Sequence, residues 1–293
     1  MVIRHNWFDN LNIALMLFFS LLVIYPVWNQ VVISVSPATE ASLPGLHLWT
    51  NHATLASYER IFSTSIMGNA FFWSIMRTIV GTVVTLAICF LFAYPLSRKT
   101  LWKRNFWMGA LVFTMFFSGG LIPSYLVVRD LGMMNTLWSL VLPGALVPFY
   151  VLMLRNYIMS LPEELIESAK IDGADDFRIL RSVILPLTTP IMATVALWSG
   201  VAHWNAWFDA MLYLQNSPIQ ILQEILRAML MEAQVNASDP VSAAISQTVA
   251  LQDFTPNSVR AATLVIITLP IVCTYPFLQK YFVKGVMMGS LKG

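Results

Sequence analysis

The chain has 293 residues, 57% hydrophobic and 11% charged, with a mean hydropathy of +0.68. No ordinary soluble domain has that balance, so the composition is that of an integral membrane protein. A formal net charge of +2 argues against a nucleic-acid partner and leaves the basic residues to act through their placement.

A hydrocarbon core of about 30 Å needs about 20 apolar helical residues. That window finds six segments, near 11–35, 70–96, 105–128, 136–159, 187–214 and 261–282. The chain is therefore expected to be an all-α polytopic protein with one transmembrane domain over residues 1–293. The first segment is too long for the apolar region of a signal peptide and no small-residue cleavage pattern follows it, so it reads as a retained span. Residues 36–69 then form a polar loop marked by Pro37, Pro44 and Gly45.

The third segment is interrupted by Ser118-Gly119-Gly120-Leu121-Ile122-Pro123-Ser124-Tyr125, which breaks a helix just beyond the expected midplane. Irregular backbone at that depth is tolerated only against protein or a watery cavity. Ser118, Gly119, Gly120 and Tyr125 are thus candidates for a substrate path, with a packed Gly/Pro kink as the alternative.

Between the fourth and fifth segments lies a charged loop, 160–186. Ser160-Leu161-Pro162-Glu163 has the spacing of a capping box with proline in the first turn, which predicts a helix from about 161. Glu163, Glu164 and Glu167 fall in its first turns, where the helix dipole favours them, and Gly173 follows as a stop signal. Asp175 and Asp176 are placed to cap a second short helix before Leu185-Pro186 turns the chain into the fifth segment. The first helix offers Leu165, Ser168 and Ala169 flanked by charge. That is a docking surface or a solvated interfacial helix.

The fifth segment carries the densest polar and aromatic cluster of any span. Ser199, His203 and Trp207 repeat at i, i+4 and i+8, while Asn205 and Asp209 lie on another face. Polar groups at membrane depth face a bundle interior or a cavity, and aromatic faces stack on sugar rings. Trp204 and Trp207 fit that role or an interfacial aromatic belt. Beyond it, 215–259 is a polar loop with an apolar periodic run at 219–231, expected as a short helix on the outer surface.

Six spans place both termini on one side. Twelve of the 17 Lys and Arg, including every lysine, fall with the termini and the 160–186 loop, which the positive-inside rule makes cytoplasmic. Arg60, Arg77, Arg129, Arg227 and Arg260 fall on the other side. Of these Arg77, Arg129 and Arg260, with His203, are available near the outer face to an acidic solute.

Cys89 and Cys273 lie in apolar runs without metal or redox spacing, and His5, His47, His52 and His203 share no ligand spacing on one element. No metal site and no catalytic nucleophile or carboxylate pair is expected. No GxxxxGK[ST] occurs, so the chain cannot cradle nucleotide phosphates and needs another subunit for energy.

Glu167-Ser168-Ala169-Lys170-Ile171-Asp172-Gly173-Ala174, followed by Ile184-Leu185-Pro186-Leu187 and Pro190, resembles the E-A-A…D-G-A…L-P-L…P loop of ABC importer permeases, with Ser168 in place of the first alanine. The ending Lys280-Tyr281-Phe282-Val283-Lys284-Gly285 to Gly289-Ser290-Leu291-Lys292-Gly293 is similar to that of the carbohydrate branch, in particular the maltose-importer inner subunit and the permeases for aldouronate or alginate oligosaccharides.

The resemblance implies the type I importer permease fold in the cytoplasmic (inner) membrane, and no cofactor in this chain. It implies a second homologous permease, two ATPase subunits that bind ATP and Mg, an extracytoplasmic binding protein and an oligosaccharide substrate, acidic by analogy. The ATPases would receive the helix at about 161–172, with Glu163, Glu164, Glu167, Ser168, Ala169, Asp172, Gly173 and Ala174 as coupling residues. Lys284, Gly289 and Lys292 would be a second ATPase contact, or a basic tail beside the membrane. An ion-coupled secondary transporter would need acidic residues at mid-membrane and inverted repeats, and neither is evident.

Overall fold

The structure, a computed structural model, describes residues 7–238 and 254–290, with side chains for 7–231 and 254–274. Among the described residues every regular element is helical and no strand occurs. The chain divides into two compact units, 1–68 with 225–270, and 69–224 with 271–293.

In the first unit, Trp7–Ser34 (α1) is apolar all round, and nearly all its side chains before Val32 stay exposed. Its C-terminal end is tied down: the Ser34 and Tyr58 hydroxyls bond at 2.9 Å, and Trp28 Nε1 donates to the Leu48 carbonyl at 3.0 Å. Two short helices follow, Ala38–Ala41 (α2) and Ala56–Phe62 (α3). Pro256–Ser290 (α15) opens on a reciprocal cap: Ser258 N donates to Thr255 Oγ1 at 3.1 Å, and Thr255 N to Ser258 Oγ at 2.9 Å. Pro256 then occupies the first turn, where a missing N–H costs nothing. Ser57 Oγ donates to Ser258 Oγ at 2.9 Å, which joins α3 to that cap.

The second unit is built on Ser65–Ser97 (α4), whose first four residues belong to the first unit. Around it lie Arg104–Phe116 (α5), Leu121–Asp130 (α6), Leu137–Val141 (α7) and Pro148–Met159 (α8). Glu164–Ile171 (α9) and Asp176–Ile179 (α10) follow, and α10 continues through a π turn, Leu180–Ile184, into Leu185–Leu187 (α11). Thr189–Asn205 (α12), Phe208–Tyr213 (α13) and Leu222–Ser238 (α14) complete the order before α15, and α14 passes into the first unit at Ile225.

Among the described residues this unit has two apolar cores. One gathers Cys89, Phe90, Ala93, Leu111, Val151, Leu154, Ile179, Ile184 and Val195. The other gathers Val128, Leu140, Ala210, Tyr213, Ile219 and Ile221, with Trp73 packed against it. Trp73 and Phe90 are about 25 Å apart along α4 at 1.5 Å per residue. A single continuous rod therefore serves both cores, and the helices around it break between them.

The breaks follow local chemistry. Phe117 to Gly120 separates α5 from α6, which lie 112° apart, and Gly120 takes φ +86°, open to glycine at little cost. Between α7 and α8 the run Leu142-Pro143-Gly144-Ala145-Leu146-Val147-Pro148 removes two backbone donors and ends the helix. α10–α11 and α12 are bent by 76° at Thr188.

The all-helical expectation holds, and the spans are less regular than six rods. α1, α4 and the described part of α15 are long and apolar enough to cross a membrane uninterrupted, and the two bent pairs reach that length only if each is one span. The expected fourth span, 136–159, is divided into helices of 5 and 12 residues. The 219–231 periodicity is realised in α14, from Leu222.

α4 and α12 approach closely through small residues. A Cβ on Gly81 would lie 2.6 Å from His203 Nε2, and one on Gly200 would lie 3.5 Å from Thr82 Oγ1. Small residues let helix backbones meet where no hydrophobic effect drives them together. Gly81→Ala is expected to cost about 1–3 kcal/mol by overpacking. Gly68→Ala, on the same helix with nothing within 4 Å, should be neutral or stabilising. Melting temperatures of the two variants in detergent check this.

Candidate coupling loop and transport path

The loop after α8 does not form the expected capping box. Ser160 still closes α8, its N–H bonding Asn156 and Tyr157 carbonyls and its hydroxyl donating to Tyr157 O at 2.7 Å. Its hydroxyl is turned back onto α8, and α9 starts at Glu164 behind a Glu163 that makes no side-chain cap bond. The other end is as expected. Ala174 N donates to Ala169 O at 2.9 Å and Gly173 N to Lys170 O at 3.0 Å, with Gly173 at φ +78°. That pair of bonds is a Schellman motif. Asp175 caps α10 by accepting from Arg178 N at 2.8 Å.

α9 has two faces. Ile166, Ala169 and Ala174 pack on the first apolar core, so Ala169 anchors the loop rather than lying on its outer face. Glu164, Leu165, Glu167, Ser168, Ile171 and Asp172 are exposed, Ile171 at 86%. Phe177, in α10, is 68% exposed. Large apolar side chains held outward on an otherwise polar loop mark an interaction surface.

The anchor is reinforced at the end of α4. Arg104 Nε and Arg155 Nε both donate to the Leu96 carbonyl, at 3.1 and 3.2 Å, so α5 and α8 each bring a cation to a helix C-terminus. Lys99 pairs with Glu163 at 2.6 Å, and this bond, with Lys99's charge and then Arg98's, holds the Glu163 carboxyl below the usual carboxylate range. The contact is present at neutral pH and is lost only as pH falls through that lowered value. Fully exposed, it guides more than it stabilises. A cleft of about 610 Å³ opens beside α9, lined by Arg98, Lys99, Trp102, Glu163, Glu167 and Lys170 among others.

The expected path residues separate into two groups. Ser199 and Trp204 are buried, and Trp204 packs edge-on to Phe71 with centroids 6.3 Å apart. His203 lies against Gly81, with Nε2 3.4 Å from Thr85 Oγ1. Trp207 lies beyond the end of α12, so the Ser199, His203, Trp207 stripe stops at His203. Ser118, Gly119, Gly120 and Asn205 are exposed, and Trp207, Tyr125 and Asp209 are half-buried. Tyr125 stacks on Tyr213, centroids 6.2 Å apart and planes 13° apart, which joins the helices after two of the breaks.

Three side chains escaped the sequence reading. Arg77 is not available near the outer face: it is 1% exposed and paired with Asp209. The signal was two lone opposite charges within apolar segments, which seek each other because neither is affordable alone. Gln223 Nε2 lies 3.4 Å from Asn205 Oδ1. Glu224, beside it in α14, has its carboxyl pushed up by burial and then by the negative charge of Asp209. Both come from a segment distant in sequence, which periodicity alone does not bring to α12.

Lys284 and Gly289 fall within α15 where side chains are not described, and Lys292 lies outside the described residues. Among the described residues no group of three His, Cys, Asp or Glu is placed to hold a metal.

A fold of broken helices around one long rod, with an anchored polar loop, has known counterparts. Residues 100–288 match the family of binding-protein-dependent transport system inner membrane components. The chain belongs to that family. As a permease subunit of an ABC importer it is a non-catalytic membrane component, and membership implies an assembly with a partner permease, ATPase subunits and a binding protein. The permease is 41% identical over 266 residues to Protein LplC of Bacillus subtilis (strain 168), covering 89% of this chain and 88% of the relative. It is 35% identical over 290 residues to the polygalacturonan/rhamnogalacturonan transport system permease protein YtcP of the same organism, covering 99% and 100%. Among solved structures it superposes, with a TM-score of 0.85 and 26% identity over 96% of this chain and 99% of the other, on a chain of a bacterial ABC transporter involved in the import of the acidic polysaccharide alginate.

The Schellman turn makes a sharp prediction. Gly173→Ala places a Cβ in open space, so its cost is conformational, about 1–2 kcal/mol for a left-handed residue. Transport by the assembled importer should fall in Gly173→Ala and be largely retained in Gly173→Asn, which tolerates that conformation.

Proposed function

We propose that this permease carries oligosaccharides bearing uronate groups from an extracytoplasmic binding protein into the cytoplasm, by alternating access driven by two ATPase subunits. The observation that carries the coupling half is the anchored loop of α9 and α10, with Leu165, Ile171 and Phe177 held outward while Ile166, Ala169 and Ala174 pack against the core. A force on the exposed face passes to α8 and α12 through Leu154, Ile184 and Val195, because packed cores move as bodies. ATP and Mg belong to the partner subunits. Both termini and the 160–186 loop are read as cytoplasmic from the lysine and arginine bias.

The carbohydrate half rests on the relatives. YtcP, matched over the full length, is named for polygalacturonan, a uronic acid polymer, and the alginate importer is named for an acidic polysaccharide. Ser118, Gly119, Gly120, Tyr125, Asn205, Trp207 and Asp209 are the path residues this reading favours, since they lie at the two helix breaks or in the helices that follow them, where backbone and amide groups are open to sugar hydroxyls. A neutral substrate is the second reading, favoured by 26% identity to the arabinooligosaccharides permease AraQ of Halalkalibacterium halodurans.

The test is ATPase stimulation of the reconstituted complex with its binding protein, across a panel of neutral and uronic oligosaccharides. Stimulation by uronic members is expected. Stimulation by neutral members alone selects the second reading, and no response to any saccharide overturns both. The double variant Glu167→Lys, Gly173→Pro should assemble in part, hydrolyse ATP and fail to transport. Wild-type transport from it would refute the coupling role of α9.

A further inference from the structure

The fifth segment stops at Asn205 and resumes at Phe208. A helix end leaves its last carbonyls without intrahelical partners, and an apolar surrounding offers no water to replace them. One side chain from another helix meets this need. Arg77 Nη1 donates to the Ala206 carbonyl at 2.9 Å, while Arg77 Nη2 pairs with Asp209 Oδ2. Asp209 Oδ1 accepts from Ala210 N at 3.0 Å, so the same carboxylate grips the start of α13. Asn205 Nδ2 completes the turn by donating to Val201 O at 2.9 Å.

We propose that Arg77 and Asp209 pin the 205–208 break to α4, and that they act as positioning residues for the path side chains Asn205 and Trp207. The guanidinium is suited to this because its planar fork addresses two acceptors at once. A lysine would supply the charge but only a point donor. The pin lies where the mechanics require it. Arg77 stands on α4 between Trp73, which packs on one apolar core, and the Cys89 and Phe90 turn within the other. α13 contributes Ala210 and Tyr213 to the core that Trp73 meets, and α12 contributes Val195 to the other. The break is therefore the joint between two packed bodies, and the ion pair sets its angle. Removing Asp209 leaves Arg77 charged, buried and without its carboxylate, and removing Arg77 leaves the half-buried Asp209 without its cation.

The proposal rests on reading this segment as part of the path, and its test separates the two by reporting geometry without substrate. Nitroxides are placed at Val201→Cys and Met211→Cys, exposed on either side of the break, in a background with Cys89→Ala and Cys273→Ala. The full importer is assembled in lipid nanodiscs and the distance distribution is read in the nucleotide-free and ATP-trapped states, with transport read in vesicles. Wild type should give a narrow distribution. Arg77→Lys, which keeps the charge opposite Asp209, should assemble at wild-type yield, broaden the distribution and lower transport by about tenfold, equivalent to about 1.4 kcal/mol. Asp209→Asn should broaden it further. A wild-type distribution with wild-type transport in Arg77→Lys overturns the proposal, as does failure of both variants to assemble, which would make the pair a folding element only. A broadened distribution with no saccharide response in wild type would leave the pin standing and remove the substrate assignment.

Discussion

A helix that ends away from water must find donors for its last carbonyls, and this fold depends on how that demand is met. Its second unit contains helix ends at Phe116, Val141 and Asn205, each within a segment apolar enough to lie in lipid. A transmembrane bundle of uninterrupted rods avoids the problem but has no joints. Here the joints exist, and polar groups meet that demand at the Ala206 and Tyr213 carbonyls. Arg77 serves the Ala206 carbonyl, and Asn135, in the turn before α7, accepts from Asn216 N at 3.0 Å while its own N–H donates to the Tyr213 carbonyl at 2.9 Å.

The unbroken element makes the broken ones useful. α4 is long enough to reach both apolar cores of its unit, and toward α12 it presents Gly81, over which the His203 ring sits, and Thr82, which meets Gly200. The price is a glycine in a long helix, and the return is a contact too close to slide freely. His203 fills the space over Gly81, which gives a histidine in an apolar segment a packing role.

At the other end the same logic builds the 160–186 loop. Apolar side chains of alternate faces are divided between the protein and the outside: Ile166 and Ala169 inward, Leu165 and Ile171 outward. The inward set is continuous with residues of α8, the π turn and α12, the helix that ends at the Arg77 contact. Arg104 and Arg155 on the Leu96 carbonyl add a second, polar link between the loop's surroundings and α4.

Local chemistry was legible in the residues themselves. The apolar stretches, the Gly-Gly interruption, the left-handed stop at Gly173 and the Asp175 cap depend on neighbours within a few positions, and each appears where its residues put it. Ser160 shows the limit even of local reading, since its hydroxyl had two possible partners and the preceding helix took it. Tertiary structure alone decided the rest: that Arg77 is buried against Asp209, that Trp204 packs on Phe71, and that Gln223 and Glu224 stand beside the α12 break. A buried charge or an aromatic face takes its meaning from its partner, and a linear pattern does not contain the distance between residues 132 positions apart.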